Sequence, residues 1–276
     1  MCEQATGLLR EAQIIGTQMF LDFKNICEKH NLRYFIDFGS LLGAVRHKGF
    51  IPWDDDIDIS MPYQDYLNFL DIAQAEFGEE YFLQTSKTDK KYHFPYAKMR
   101  KNGTRLVDAK YAEWDIHQGV WLDIFPIVEL NDGLEYKFKK VIVGFYQLLL
   151  CDDYYNYNSE YYERKLHSVG VWALKQLFKI PKEKRFKIAE GLIKKFIFSA
   201  KGKKYKACVW NGITKLAPKD IYDDFCMVEF EGEKFSAPKN WEERLTVSYG
   251  DYMQLPPVEQ RVGHSEEMII DLNCKK

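Results

Sequence analysis

The 276-residue chain has no run of about 18 apolar residues, so no bilayer-spanning helix is expected. Its six cysteines (2, 27, 151, 208, 226 and 274) are scattered, without a CxxC pair or a Cys/His cluster. That argues against a disulfide framework and a structural zinc site, and reduced thiols in a cytosolic protein are the simplest account. Glu3, Arg10 and Glu11 interrupt the apolar residues of the N-terminus, which therefore does not read as a secretion signal. Asn102-Gly103-Thr104 then reads as a turn rather than a glycosylation site. No long polar tail is visible, and no nucleic-acid partner is expected.

What remains is a chain suited to one large domain, or to a domain carrying an insertion. It is 46% hydrophobic and 16% aromatic, enough for a sizeable core. Charge is unevenly spread. Residues 135–206 hold 17 Lys/Arg against 7 Asp/Glu, although the whole chain has a formal net charge of −2. A basic block of this kind suits an anionic substrate or a membrane surface, and equally a set of solvated helix faces. Residues 131–206 read as a basic, aromatic-rich helical insertion in a core built from residues 1–130 and 207–276.

Residues 34–62, YFIDFGSLLGAVRHKGFIPWDDDIDISMP, concentrate four carboxylates: Asp54, Asp55, Asp56 and Asp58. So much like charge at one place calls for a compensating cation. Asp56-Ile57-Asp58-Ile59 alternates with strand period, so the two acids share one face and the isoleucines enter a core. Paired carboxylates on a rigid strand form a hard-oxygen site suited to Mg²⁺ or Mn²⁺. A calcium loop fits poorly: counted from Asp54, position 6 is Ile59 and position 12 is Asp65, where that loop has Gly and Glu. Upstream, Gly39-Ser40 follows an apolar strand over Leu32–Asp37. A small, polar step there lets backbone N–H groups approach phosphate. Residues 40–47 read as a short helix with Ser40 as N-cap, and Trp53 beside the acids is a stacking or packing residue.

Further on, Trp121-Leu122-Asp123-Ile124-Phe125-Pro126 places one acid inside an apolar strand. A buried carboxylate is costly unless it meets a cation or a proton donor. Asp123 is therefore the natural third carboxylate, as metal ligand or as base. Residues 92–107 read as a hairpin turning at Asn102-Gly103, with Lys98 and Arg100 on one face. Helices are expected over 5–31, 63–77 and 136–150, and a hairpin turning at Glu231-Gly232. The tyrosines at 154, 155, 157, 161 and 162, next to Asp152 and Asp153, resemble a cation–π cage or ordinary packing. Taken alone, these residues reach metal-dependent phosphoryl or nucleotidyl transfer.

The run from Asp37-Phe38-Gly39-Ser40 through Arg46-His47 to Asp54-Asp55-Asp56-Ile57-Asp58-Ile59, with WLDIFP and the segments 226–265, resembles the LicD family. These are phosphocholine transferases related to fukutin-related protein. The resemblance implies an α+β, nucleotidyltransferase-like mixed β-sheet flanked by helices. It implies Mg²⁺-dependent transfer of phosphocholine from CDP-choline to a sugar hydroxyl of a bacterial surface glycan, of teichoic acid or lipopolysaccharide type, or its lipid-linked precursor. Asp56, Asp58 and Asp123 would be the catalytic and metal-binding residues. Gly39, Ser40, Arg46, His47 and Lys98 would serve the donor phosphates. Asp37, Trp53, Asp54, Asp55, Arg100, His117, Tyr154, Tyr155, Glu229, Arg261 and His264 are candidate substrate contacts. Phe38 stands where a smaller residue is common in the family, which narrows the mouth beside Gly39. A cytoplasmic protein is expected, at the inner membrane face if 135–206 touches lipid. Rival readings are transfer of ribitol phosphate or of a nucleotidyl group, and a metal-dependent binding scaffold without activity.

Overall fold

The computed structural model describes residues 4–92, 94–150, 176, 179–198, 204–209, 213–263 and 267–274. The fold is α+β, built on a mixed sheet with helices packed against it. Among the described residues the sheet has seven strands. Its path runs from β1 (Phe35–Ile36) through β2 (Ile57–Pro62), β6 (Trp121–Leu130) and β4 (Ala97–Lys101) to β3 (Tyr81–Gln84), and β7 (Tyr205–Cys208) joins β6 to β8 (Ala217–Pro218). β6 is the axis. It pairs in parallel with β2 and antiparallel with β4 and β7, and is buried along nearly its whole length, because both of its faces are covered.

Strand alternation divides the sheet into two chemically different faces. Ile57, Ile59, Ala97, Met99, Leu122 and Ile124 join one core with α1 (Gly7–Lys29), α2 (Phe38–His47) and α3 (Tyr63–Phe77). The hairpin β9 (Phe225–Phe230) and β10 (Glu233–Pro238) closes that core, with the Phe20 and Phe235 rings stacked at 3.8 Å. Asp58, Ser60, Lys98, Asp123 and Phe125 point the other way. There Phe35, Tyr96, Phe125, Ile127, Cys208 and Tyr222 form a second cluster. A third cluster joins α4 (Leu134–Leu150) and α5 (Lys182–Ile193) to the distal end of β6 and to β7. The last helix, α6 (Trp241–Tyr249), follows the hairpin.

Two local expectations change. The first strand is confined to Phe35–Ile36, and the helix after it begins at Phe38, capped by Asp37, whose carboxylate accepts from the Phe38 N–H at 2.8 Å. Ser40 cannot cap, because its Oγ accepts the Asp58 N–H at 2.8 Å. Residues 92–107 do not make a hairpin. β4 already has β3 and β6 on its two edges, so β5 (Arg105–Asp108) pairs instead with β11 (Met268–Asp271). The Glu231-Gly232 turn, by contrast, takes positive φ at both residues, 53° and 82°, the geometry of a two-residue hairpin.

Candidate active site

Three adjacent strands set the site. In the β2–β6 ladder Asp58 lies directly opposite Asp123, and in the β6–β4 ladder Asp123 lies opposite Lys98. One row therefore reads carboxylate, carboxylate, ammonium. Lys98 Nζ meets Asp123 Oδ1 at 2.6 Å, with the two side chains 9% and 6% exposed. Burial pulls the Lys98 ammonium below its ordinary value, and Asp123 opposes that pull. Asp56, one residue before β2, completes the group: Asp56, Asp58 and Asp123 each offer an oxygen within 4.8 Å of the others. Asp54, Asp55 and Asp56 make a second such group. Against three clustered carboxylates the single ammonium leaves an excess of negative charge. An all-oxygen donor set of this kind fits a hard divalent cation.

α2 enters the site by its first turn. The Gly39 N–H donates to Asp58 Oδ2 at 3.1 Å, and a Cβ at Gly39 would stand 2.9 Å from Asp54 Oδ2. A side chain there would thus crowd the carboxylates of Asp54 and Asp58. Beneath this turn Asp37, completely buried, is held by Arg244 Nε at 2.8 Å. The Ser60 and Tyr222 hydroxyls also donate to Asp37, at 2.6 and 2.7 Å. Arg244 stacks on the Phe38 ring at 4.6 Å and bonds Ser248. This charged layer ties α6 to the start of α2.

The carboxylates open into a cavity of about 880 Å³. Gly39, Asp54, Asp55, Asp56, Asp58, Lys98, Arg100 and Asp123 all line it. Arg100 is fixed by Gln84 and the Gly119 carbonyl, both at 2.7 Å. Trp121 lies under both cations, 4.7 Å from Lys98 and 4.9 Å from Arg100. Aromatic walls come from Phe94, Tyr96, Tyr111, Trp114 and Tyr249, with Lys140, Thr214, Lys215 and Ser248 on other parts of the lining; none of these belongs to a local motif that marks it as part of a site.

Other residues read from the sequence sit outside this cavity. Ser40 and Asp37 work below it, on backbone and helix. Arg46, His47, Trp53 and Arg261 gather at the far end of α2. His117 stacks on Phe82 at 5.1 Å and bonds Asn102, on the β3–β4 side. Glu229 is exposed on β9, opposite Lys234. Tyr154, Tyr155 and His264 lie outside the described residues.

Residues 31–147, which include Asp56, Asp58, Lys98 and Asp123, match the family described as "LicD/FKTN/FKRP, nucleotidyltransferase domain". The chain is also 30% identical over 290 residues to the lipopolysaccharide cholinephosphotransferase LicD of Haemophilus influenzae, covering 95% of this chain and 98% of that protein. The chain belongs to the LicD family. Shorter similarity reaches the ribitol 5-phosphate transferase FKRP of Homo sapiens, 42% identical over 53 residues, which is 19% of this chain and 11% of that one. An uncharacterised protein of Rickettsia typhi is 46% identical over 55 residues, or 20% of this chain and 18% of its own. No helix among the described residues of this LicD-family chain is long and apolar enough to cross a membrane.

Proposed function

We propose that the protein transfers phosphocholine from CDP-choline to a sugar hydroxyl of a lipopolysaccharide-type surface glycan or its lipid-linked precursor, with Mg²⁺. The observation that carries the reading is the cross-strand row Asp58, Asp123, Lys98 with Asp56 beside it, in a chain similar along its length to a cholinephosphotransferase. Asp56 and Asp58 hold the cation, with Asp123 within reach as a third donor. When bound, the metal neutralises diphosphate oxygens and so favours in-line displacement.

The protein's own groups divide the remaining work. The first turn of α2 puts Gly39, bare of a side chain, on the cavity wall beside Asp54 and Asp58, which leaves room there for the donor phosphates. The acceptor oxygen attacks the choline-bearing phosphorus, the bond to the bridging oxygen breaks, and CMP leaves. Asp123 takes the hydroxyl proton. Once protonated, Asp123 no longer holds Lys98, which is then available to the charge on departing CMP. Arg100, held on two sides by Gln84 and Gly119, offers a second, pre-oriented cation. Residues 131–206 form the acceptor side, since Lys140 of α4 reaches the cavity. Work at the inner face of the membrane suits that block's basic charge.

The test is transfer of labelled phosphocholine from CDP-choline to lipopolysaccharide and to teichoic acid, with and without Mg²⁺, beside Asp58→Asn. The reading expects Mg²⁺-dependent transfer that falls by orders of magnitude in the variant. Transfer from CDP-ribitol in preference to CDP-choline would replace choline by ribitol, which the short similarity to FKRP keeps in view. Glycan binding that survives Asp58→Asn, with no turnover from any donor, would make the protein a scaffold.

A further inference from the structure

Arg46 and Arg261 are the unusual pair outside the cavity. Arg10, Arg33 and Arg244 each meet a carboxylate, at 2.6, 3.0 and 2.8 Å. Arg46 and Arg261 are half-buried and meet carbonyl oxygens instead. Arg46 Nη1 donates to the Tyr252 carbonyl at 3.2 Å, and Arg261 Nε to the Pro256 carbonyl at 3.0 Å. Among the described residues neither forms an ion pair. They also act on each other: burial and then the charge of Arg261 pull the Arg46 guanidinium below its ordinary value.

Trp53 organises the cluster. The Arg261 guanidinium lies 5.8 Å over its ring, and the His47 ring meets it edge-on at 6.4 Å. The segment after Arg261 presses on the same residue, since a Cβ at Gly263 would stand 2.6 Å from the Trp53 carbonyl oxygen. The C-terminal end of α2 accounts for a cation at Arg46 or His47. It does not account for Arg261, which arrives from the Pro-rich return after α6 and is set beside a like charge. Holding two guanidinium groups together in a half-buried place is unfavourable until an anion lies between them, and the planar fork of arginine matches tetrahedral oxyanions.

We infer that Arg46, Arg261 and Trp53, none of which lines the carboxylate cavity, form a second binding site, for a phosphate-type oxyanion. Arg46 keeps Nη2 for the ligand, and Arg261 keeps both Nη groups. The site goes beyond the transfer reading and stands whichever alcohol is transferred. Its anion comes either from the donor nucleotide or from a phosphorylated acceptor.

The experiment is calorimetric titration of inorganic phosphate in EDTA, which silences metal-dependent binding at the carboxylates. Wild type is compared with Arg46→Met, Arg261→Met and Arg100→Met. The expected result is saturable binding by wild type, weakened tenfold or more by either of the first two variants and little changed by the third. Thermal melts check folding, and Arg46→Lys, which keeps the charge but not the fork, should fall between wild type and Arg46→Met. Competition by CDP assigns the site to the donor, and phosphate binding that CDP leaves untouched assigns it to the acceptor. No saturable binding by wild type overturns the site. So does binding lost in Arg100→Met but kept in the Arg46 and Arg261 variants.

Discussion

Lys98→Met strikes the closest charge contact in the active site, that of the buried Asp123 carboxylate with its ion-pair partner. Asp123 is 4% exposed and Lys98 approaches it at 2.6 Å. Methionine fills much of the lysine's volume but cannot answer the charge. Breaking a buried pair from one side costs about 3–5 kcal/mol, because the abandoned charge stays in a poor solvent. For a chain of this size that corresponds to a fall in Tm of roughly 6–20 °C. Replacing both partners, as Lys98→Met with Asp123→Leu, should restore most of the loss, since an apolar pair of similar volume is often neutral or better. Mg²⁺ should raise the Tm of Lys98→Met more than that of wild type, because in the variant it supplies the missing positive charge. Urea and thermal denaturation of the three proteins, with and without Mg²⁺, make the measurement. A loss below about 1 kcal/mol in the single variant, the size of a surface pair, would show that Asp123 does not depend on Lys98 and would refute the reasoning.

Other consequences are as direct. Arg244→Met leaves Asp37 fully buried with only neutral donors, and should cost about 3–5 kcal/mol in urea unfolding; an unchanged midpoint would contradict the charged layer under α2. Gly39→Ala and Gly43→Ala should separate function from folding. At Gly39 the new methyl meets the movable Asp54 carboxylate at 2.9 Å, so the protein should melt near wild type while turnover drops. At Gly43 it meets the Gly49 backbone carbonyl at 2.4 Å, so stability should fall instead. Burial pushes the Cys208 thiol and the Tyr146 hydroxyl up to about 12 each. The folded protein therefore keeps protons that the unfolded chain releases from about pH 9 upward. Stability should then decline as pH rises toward 12, by about 1.4 kcal/mol per unit for each group once its unfolded value is passed. Equal urea midpoints at pH 8 and pH 10 would contradict this.

The acidic strand was legible because alternation is local: four letters put Asp58 on one face and its isoleucines on the other. Asp123 was legible for a different reason, as the one charge in the apolar run 120–128. That it abuts Asp58, and that Lys98 follows on the next strand, depends on strand order, which no single segment encodes. The same limit explains the hairpin that did not form. Asn102-Gly103 does turn the chain, but the strand before it had no free edge left. Ser40 was misassigned because capping and bracing compete for one hydroxyl, and the Asp58 N–H takes it. Arg244 had no sequence signal at all, lying far along the chain from the Asp37 it neutralises. The cavity's aromatic walls were likewise hidden, since Tyr111 and Trp114 come from one loop and Tyr249 from the distant end of α6.

The pairing of β5 with β11 carries a consequence for how the protein is made. The large sheet can close once residue 218 has been synthesised, but β5 waits for residues 268–271. Until they emerge from the ribosome, Leu106 and Val107 border the cavity on a strand with an unpaired edge. A chain folded as far as the large sheet but without β11 in place would thus hold its carboxylates while presenting a sticky, half-built wall. Residues 268–271 would then be the ones that turn a folded sheet into an enclosed site.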